Sequence, residues 1–357
     1  MSGGVDSSLA AALLVEQGYE VIGVTLQLWP DEGGSSQRGC CSLSAVEDAR
    51  RVAGKLGIPY YVLNFRDIFA ETVIADFVRE YRRGRTPNPC VRCNQHVKFA
   101  ALRQRARQLG AEFLATGHYA RVSTDPESGR YLLLRGVDAA KDQSYALYTL
   151  TQEQLASTLF PLGGMTKAET RCRAAALGLG VATKRDSQEI CFVPEDDYAG
   201  FLRRREPAVA TPGPIVDQQG NVLGEHPGIA FFTLGQKRGL RLPVPHPLYV
   251  LEIRPETNTL VVGPEEALRQ RACVVTDLNW ISVAAPQVEL EVTAKVRYNM
   301  EDQAAVVRPL AEDQAQLVFD EPQRAITPGQ AAVFYQGDRV VGGGTVQSLR
   351  LAEAQTG

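Results

Sequence analysis

The chain of 357 residues has no apolar run approaching the roughly 20 residues that a helix needs to cross a bilayer, so no membrane span is expected. Its start, MSGGVDSS, has neither the charged opening nor the long apolar stretch of a secretory signal, and a cytoplasmic protein is expected. The cysteine count is not even. Seven cysteines in a reducing compartment read as thiols or metal ligands, not as a disulfide framework. Net positive charge is lacking too: the balance of −3 argues against a globally basic nucleic-acid binder. Internal repeats and low-complexity tracts are also absent. What is present is 44% hydrophobic residues, enough for substantial cores in two or three domains.

The average charge hides a local bias. Arg79, Arg82, Arg83, Arg85, Arg92, Lys98, Arg103, Arg105 and Arg107 face only Glu80 in the same stretch. Further clusters run Arg203, Arg204, Arg205 and Lys237, Arg238, Arg241. Such clusters on a neutral background suit contact with a phosphate backbone, or else they are solvated helix faces.

The first 195 or so residues alternate helical and strand-like segments. VDSSLAAALLVEQG has helical apolar spacing and stops at Gly18. YEVIGVTLQLW is short and β-branched, as a buried strand is. SAVEDARRVAGKLG is helical, with Ser44 as N-cap and Glu47 completing a capping box. IPYYVLNF and EFLATGHYA read as strands, ETVIADFVREYRRG and VKFAALRQRARQLG as helices. This order predicts an α/β domain with a parallel sheet and right-handed connections. From Thr211 onward short alternating runs and Gly/Pro turns predict one or two small antiparallel β domains, with a boundary near Arg271.

Ser2-Gly3-Gly4-Val5-Asp6-Ser7-Ser8 opens the first helix. Its glycines let backbone approach a phosphate, its serines add donors, and Asp6 suits a Mg2+ ion bridging phosphates. No Gly-Lys-Ser/Thr follows, so transfer of a γ-phosphate is not predicted. A Gly-rich loop of this kind normally follows a strand, and a preceding strand is expected here.

SGGVDSS resembles the PP-loop of ATP pyrophosphatases. GRTPNPCVRCNQHVKF, ATGHYAR, KDQSYALYTL, KRDSQEICFV, GEHPGIAFFTLGQKRGL, VRYN and TPGQAAVFY together resemble the tRNA-specific 2-thiouridylase family, from Met1 to about Leu349. The resemblance implies a PP-loop (adenine nucleotide alpha hydrolase-like) domain over 1–197, a small central β domain over 198–271 and a C-terminal β-barrel-like domain over 272–357. It implies ATP-dependent 2-thiolation of the wobble uridine of tRNA, by adenylation of the base and transfer of a cysteine persulfide sulfur. The implied partners are Lys, Glu and Gln tRNAs and a sulfur donor, either a cysteine desulfurase or a relay protein.

By the same resemblance Cys191 carries the persulfide, and Cys93 releases the sulfur by forming a disulfide with it. Cys90 stands where many members of the family have aspartate. Three readings stay open: a thiol acid/base, a redox pair of Cys90 with Cys93, or an iron–sulfur cluster held by Cys90, Cys93 and Cys191. A zinc site is disfavoured for want of a fourth ligand. Cys40 and Cys41 lie in a Gly/Ser-rich loop, while Cys172 and Cys273 are expected to be packing residues.

Leu26 and Gly117, with the loop residues Ser2 to Ser8, match family contacts to ATP. Asn88, Pro89 and Cys90 match the segment facing the target base. His118, Lys141, Asp142, Gln143, Arg297, Tyr298 and Gln330 match tRNA contacts, a set with cations for phosphate and amides and rings for an unstacked base. Two other readings compete. Another PP-loop ligase or amidotransferase would not need the two cysteines, and a non-catalytic tRNA-binding protein would not consume ATP.

Overall fold

The computed structural model describes residues 1–28, 43–184, 190–193, 195, 197–311 and 313–348. Along the chain, α1 (Val5–Glu16) precedes β1 (Gly23–Gln27), α2 (Leu43–Leu56) and β2 (Tyr60–Asn64). One long helical stretch follows: α3 (Arg66–Phe69), π-helical turns Ala70–Ile74 and α4 (Ala75–Arg82). A second joins α5 (Pro89–Arg92), π-helical turns Cys93–Leu102 and α6 (Arg103–Gln108). Then come β3 (Leu114–Ala115), β4 (Ala120–Thr124), β5 (Tyr131–Arg135), α7 (Gln152–Ala156), β6 (Thr158–Leu159), α8 (Lys167–Ala176) and α9 (Tyr198–Arg205). The remainder is β-rich: β7 (Gly213–Val216), β8 (Val222–His226), β9 (Tyr249–Arg254), β10 (Thr259–Gly263), β11 (Arg269–Trp280) and β12 (Leu290–Lys295). β13 (Gln303–Ala311), β14 (Gln314–Arg324), β15 (Ala331–Gln336) and β16 (Arg339–Ser348) complete the order.

The chain divides into two compact units. One comprises Met1–Ile74, Cys90–Asp196 and Asp338–Val340; the other comprises Ala75–Pro89, Asp197–Gly337 and Val341–Gly357. The first is the α/β unit. β1 pairs with β2 in parallel, Leu26 opposite Leu63, and β3 pairs with β6 in parallel. α1 is apolar almost all round, so it is a buried helix rather than a surface one. Its Val5, Leu9, Ala10 and Ala12 pack with Tyr119, Leu162, Ala174 and Leu179. Gly18, at φ +86, ends α1 as expected. Ser44 does not cap α2: the helix begins one residue earlier, at Leu43, which puts Ser44 and Glu47 inside it. A hairpin of β4 and β5, turned at Asp125–Gly129, adds an antiparallel element that alternation alone did not reveal.

The second unit carries two β arrangements. β8, β7, β10 and β9 form a four-stranded sheet in that order. It is not wholly antiparallel. β7–β8 and β9–β10 are hairpins laid side by side, so their inner strands β7 and β10 run parallel. β11, β14, β13, β12, β15 and β16 follow one another, and β16 pairs back onto β11, closing a barrel. Its interior holds Val275, Val292, Leu317, Phe319, Phe334 and Val346. Arg271 lies inside β11, so the expected boundary there falls within a strand and not in a linker.

Candidate active site

Residues 2 to 8 form a tight loop running into α1. Gly3 sits at φ +67, and a Cβ there would lie 2.2 Å from the Ala45 carbonyl oxygen, so only glycine fits. Gly4 is the N-cap and offers no side-chain cap. The loop is braced from within: the Ser2 N–H donates to Ser7 Oγ at 3.0 Å, and Ser8 Oγ donates to the Gly4 carbonyl at 2.8 Å. Ahead of the loop, the Met1 ammonium donates to the Val24 carbonyl, and the Thr25 hydroxyl donates to the Met1 carbonyl at 2.5 Å. The first turn of α1 thus presents N–H groups and hydroxyls without a competing cap, a cradle suited to phosphate.

Gly117 closes one side of this cradle. A Cβ on it would lie 2.7 Å from the Asp6 carbonyl carbon and from the Ser7 nitrogen. The next-but-one residue, Tyr119, donates its hydroxyl to Asp6 Oδ1 at 2.8 Å and also lies 3.0 Å from Thr170 Oγ1. The ammonium of Lys167 donates to both oxygens of Asp6, each at 2.8 Å. A second lysine, Lys184, donates to the Gly3 carbonyl at 2.9 Å and pairs with Asp48 at 2.7 Å. Burial opposes ionisation of Asp48, but Lys184 and Arg51 outweigh it and hold its carboxyl below the ordinary range.

Lys167 is not legible in the sequence as a partner of Asp6. Its one local signal was the Thr166/Glu169 capping box, which starts α8 at Lys167. Asp6, expected as a Mg2+ ligand, is engaged by Lys167. Both its oxygens already face a cation, and no group of three His, Cys, Asp or Glu side chains suited to a metal occurs among the described residues. Nor are Cys90, Cys93 and Cys191 arranged as such a group, so the residues in place do not fit an iron–sulfur cluster.

The thiols occupy distinct environments. Cys90, in α5, is exposed; Cys93, one helical turn on, is half-buried. Cys191 is also half-buried, and its neighbour Phe192 packs edge-on against Phe69 of α3 at 5.6 Å. α3 in turn packs against the π-helical segment that Cys93 opens. Next to Cys93, Asn94 is buried and donates to the Ala146 carbonyl at 2.9 Å, which anchors that helix start. Cys172 is exposed, contrary to the expectation of packing: α8 turns that face to solvent. Cys273 is buried, and burial pushes its thiol up to about 12. Cys40 and Cys41 lie outside the described residues.

The residues expected to touch tRNA divide by what their side chains already do. Asp142 accepts from the N–H groups of Gly136 and Ser144, both at 3.1 Å, and from the Ser144 hydroxyl at 2.8 Å. Gln143 accepts from the Tyr119 N–H at 3.1 Å and donates its own N–H to the Tyr119 carbonyl at 2.9 Å. These two build the loop that holds Tyr119, and so, indirectly, Asp6. Gln330 donates to the Thr86 and Pro87 carbonyls, and Arg297 donates to the Ala325 carbonyl. Tyr298 is exposed. His118 packs between Phe99 and Phe160, with Nδ1 2.7 Å from Thr116 Oγ1. Desolvation, helped by Lys98, holds its imidazole well below the ordinary value. A neutral ring of that kind can stack or share a hydrogen bond but does not pair with phosphate.

The basic run is also less exposed as charge than it looked. Arg103 and Arg107 share Glu153 at 3.0 and 2.8 Å, Arg85 pairs with Glu80 at 2.7 Å, and Arg79 pairs with Asp76. Carboxylates distant in sequence, Glu153 above all, were invisible to a count over one stretch.

The chain resembles known proteins along most of its length. Residues 1–195 match the tRNA methyl transferase HUP domain, 200–264 the tRNA methyl transferase PRC-barrel domain and 270–346 the aminomethyltransferase beta-barrel domain. The tRNA-specific 2-thiouridylase MnmA of Heliobacterium modesticaldum is 58% identical over 97% of this chain and 91% of its own length. That of Moorella thermoacetica is 57% identical over 98% of each chain. Among solved structures, the U34-tRNA thiolase NcsA of Methanococcus maripaludis with its 4Fe–4S cluster aligns at a TM-score of 0.34 and 18% identity. That alignment covers 58% of this chain and 65% of that one. With three domain matches in order and near full-length identity above one half, the chain belongs to the tRNA-specific 2-thiouridylase MnmA family.

Proposed function

We propose that this protein replaces O2 of the wobble uridine of tRNA by sulfur, with ATP as the substrate that activates the carbonyl. The observation that carries the reading is that one compact unit contains both the phosphate cradle at Gly3–Ser8 and the half-buried thiols Cys93 and Cys191. Its catalytic domain is 1–197, followed by a central β domain and by a C-terminal barrel that starts with β11 at Arg269.

In the first step the uridine O2 attacks the α-phosphorus. The bond from that phosphorus to the bridging oxygen breaks, pyrophosphate leaves, and AMP remains on O2. The α1 first-turn N–H groups and the hydroxyls of Ser2 and Ser7 orient the phosphates, while Leu26 and Gly117 border the nucleoside. In the second step Cys191 brings a terminal sulfane sulfur, which bonds to C2 as AMP departs. The Cys93 thiolate then attacks the Cys191 sulfur. The sulfur–sulfur bond to the substrate breaks, leaving a thiocarbonyl and a Cys93–Cys191 disulfide. The sulfane sulfur gains two electrons and the two cysteines lose them, so an external thiol must reset the pair. Cys90 occupies the place of the family aspartate and serves the proton transfers beside the base.

The partners under this reading are wobble-uridine tRNAs for Lys, Glu and Gln and a sulfur-delivering protein, a cysteine desulfurase or relay. Asn88, Pro89, Cys90, His118, Lys141, Arg297 and Tyr298 supply tRNA contacts; Asp142, Gln143 and Gln330 hold the backbone that presents them. No described helix is long and apolar enough to cross a membrane.

Mass spectrometry of nucleosides from tRNA incubated with the protein, ATP, Mg2+ and sulfide tests the proposal. 2-Thiouridine is expected to form. With persulfide supplied by a desulfurase, Cys93→Ser and Cys191→Ser should lower it by on the order of 100-fold or more, while AMP release continues. Wild-type thiolation rates in both variants would sink the sulfur scheme, and no AMP release by the wild type would sink the adenylation step.

A further inference from the structure

The Lys167–Asp6 pair sits in the phosphate cradle, and the scheme above leaves it without a task. Lys167 is the first residue of α8, and three contacts fix that start. The Thr166/Glu169 capping box sets the helix origin, the Lys167 N–H donates to Asp138 Oδ2 at 2.8 Å, and α8 packs along α1. From there the side chain passes beside the Tyr119 ring, its ammonium 5.7 Å from the ring centre, and ends on Asp6. The side chain is only 12% exposed and that of Asp6 33%, so the cation is shielded while its anchor borders solvent. Asp6 itself is the second residue of α1, and its backbone turns past Gly117 into Ser7, the strip of backbone that the cradle is made from. A cation held in this way is pre-aimed: its entropy is already lost and its charge is only partly screened.

We propose that Lys167 is a catalytic residue of the adenylation step, one that exchanges an oxygen of Asp6 for an oxygen of the pyrophosphate portion of ATP. The inference rests on the ATP reading above. As the bond between the α-phosphorus and the bridging oxygen breaks, negative charge grows on the departing pyrophosphate. The ammonium donates a hydrogen bond to it and keeps its own proton. Asp6 and Tyr119 hold Lys167 ready before the nucleotide arrives and steady it afterwards. The chain thus supplies from its own residues a cation beside the carboxylate expected to hold Mg2+.

The test is product inhibition of AMP release in the presence of tRNA. In Lys167→Gln, the KM for ATP should rise at least about tenfold and inhibition by inorganic pyrophosphate should weaken at least about tenfold, whereas inhibition by AMP stays within about twofold. Lys167→Arg, which keeps the charge, should recover most of the pyrophosphate inhibition. If Lys167→Gln weakens AMP and pyrophosphate inhibition alike, or neither, the role is structural and the proposal is overturned. A crystal structure of the wild type with AMP and pyrophosphate decides the matter independently of how the variants fold. Lys167 Nζ in hydrogen-bond contact with a phosphate oxygen supports it; Nζ on Asp6 alone and out of reach of every phosphate oxygen overturns it. Failure of the wild type to release AMP at all would instead overturn the ATP reading.

Discussion

Gln330 reaches back 244 residues to donate its side-chain amide to the carbonyl of Thr86, at 2.9 Å, and to that of Pro87, at 3.2 Å. The Thr86 N–H meanwhile donates to the Pro328 carbonyl at 2.9 Å. The residues just before Asn88 are therefore held on both sides by the turn that precedes β15.

From this follows the effect of Gln330→Leu. The substitution removes two hydrogen bonds and should cost about 1–2 kcal/mol. Hydrogen exchange of a peptide spanning residues 86–88 should speed up, and the KM for tRNA should rise with little change in kcat. Unchanged exchange there would mean that Gln330 does not hold the segment.

Gly117→Ala tests the cradle. The added methyl meets the Asp6 and Ser7 backbone at 2.7 Å, so α1 must shift at a cost of about 1–3 kcal/mol. ATP should bind at least about tenfold more weakly and the melting temperature should fall. Gly164→Ala, where a Cβ meets nothing within 4 Å, is the control and should change neither. Equal effects of the two would remove Gly117 from the site.

The imidazole of His118 titrates below its ordinary value because burial and Lys98 disfavour its charged form. As pH falls, the unfolded chain takes up this proton first. The stabilisation is therefore complete above the unfolded value of about 6.5 and is lost as pH drops from there toward the folded value. Urea unfolding at pH 7 and pH 5 should show a smaller loss for His118→Gln than for the wild type. Parallel losses would show that His118 is not a source of the acid sensitivity.

Thiol labelling separates the cysteines. Cys172 is exposed and should react with a maleimide in the native protein. Cys273, buried and pushed up to about 12, should react on the order of 100-fold more slowly until the barrel unfolds. Peptide mapping of the labelled sites reads both at once, and fast native labelling of Cys273 would contradict the closed barrel.

The local texture of the chain carried much of this. Helical spacing marked α1, the glycines of residues 3 and 4 marked the loop, and turn-rich alternation marked the β half. The parts that stayed hidden depend on partners far away in sequence. Nothing near Asp6 announces Lys167, 161 residues on, and nothing near Arg103 announces Glu153. Residue type also does not show which polar side chains serve the backbone. Asp142 and Gln143 have the chemistry of ligand contacts, yet they tie down Gly136, Ser144 and Tyr119. Cys172 read as packing because a helix shows its period but not which side its neighbours cover.

The pairing of β16 with β11 has a bearing on how the protein is made. Of the six strands in that ring, the ribosome delivers β11 first and β16 last. During the intervening synthesis the nascent β11 presents an open row of amides and carbonyls, an invitation to strand addition by any neighbouring polypeptide. Sealing waits for the sixth strand, so translation that stalls within the last of these strands should yield a sticky intermediate that depends on chaperones, even though the α/β unit's first strands and helices were finished long before.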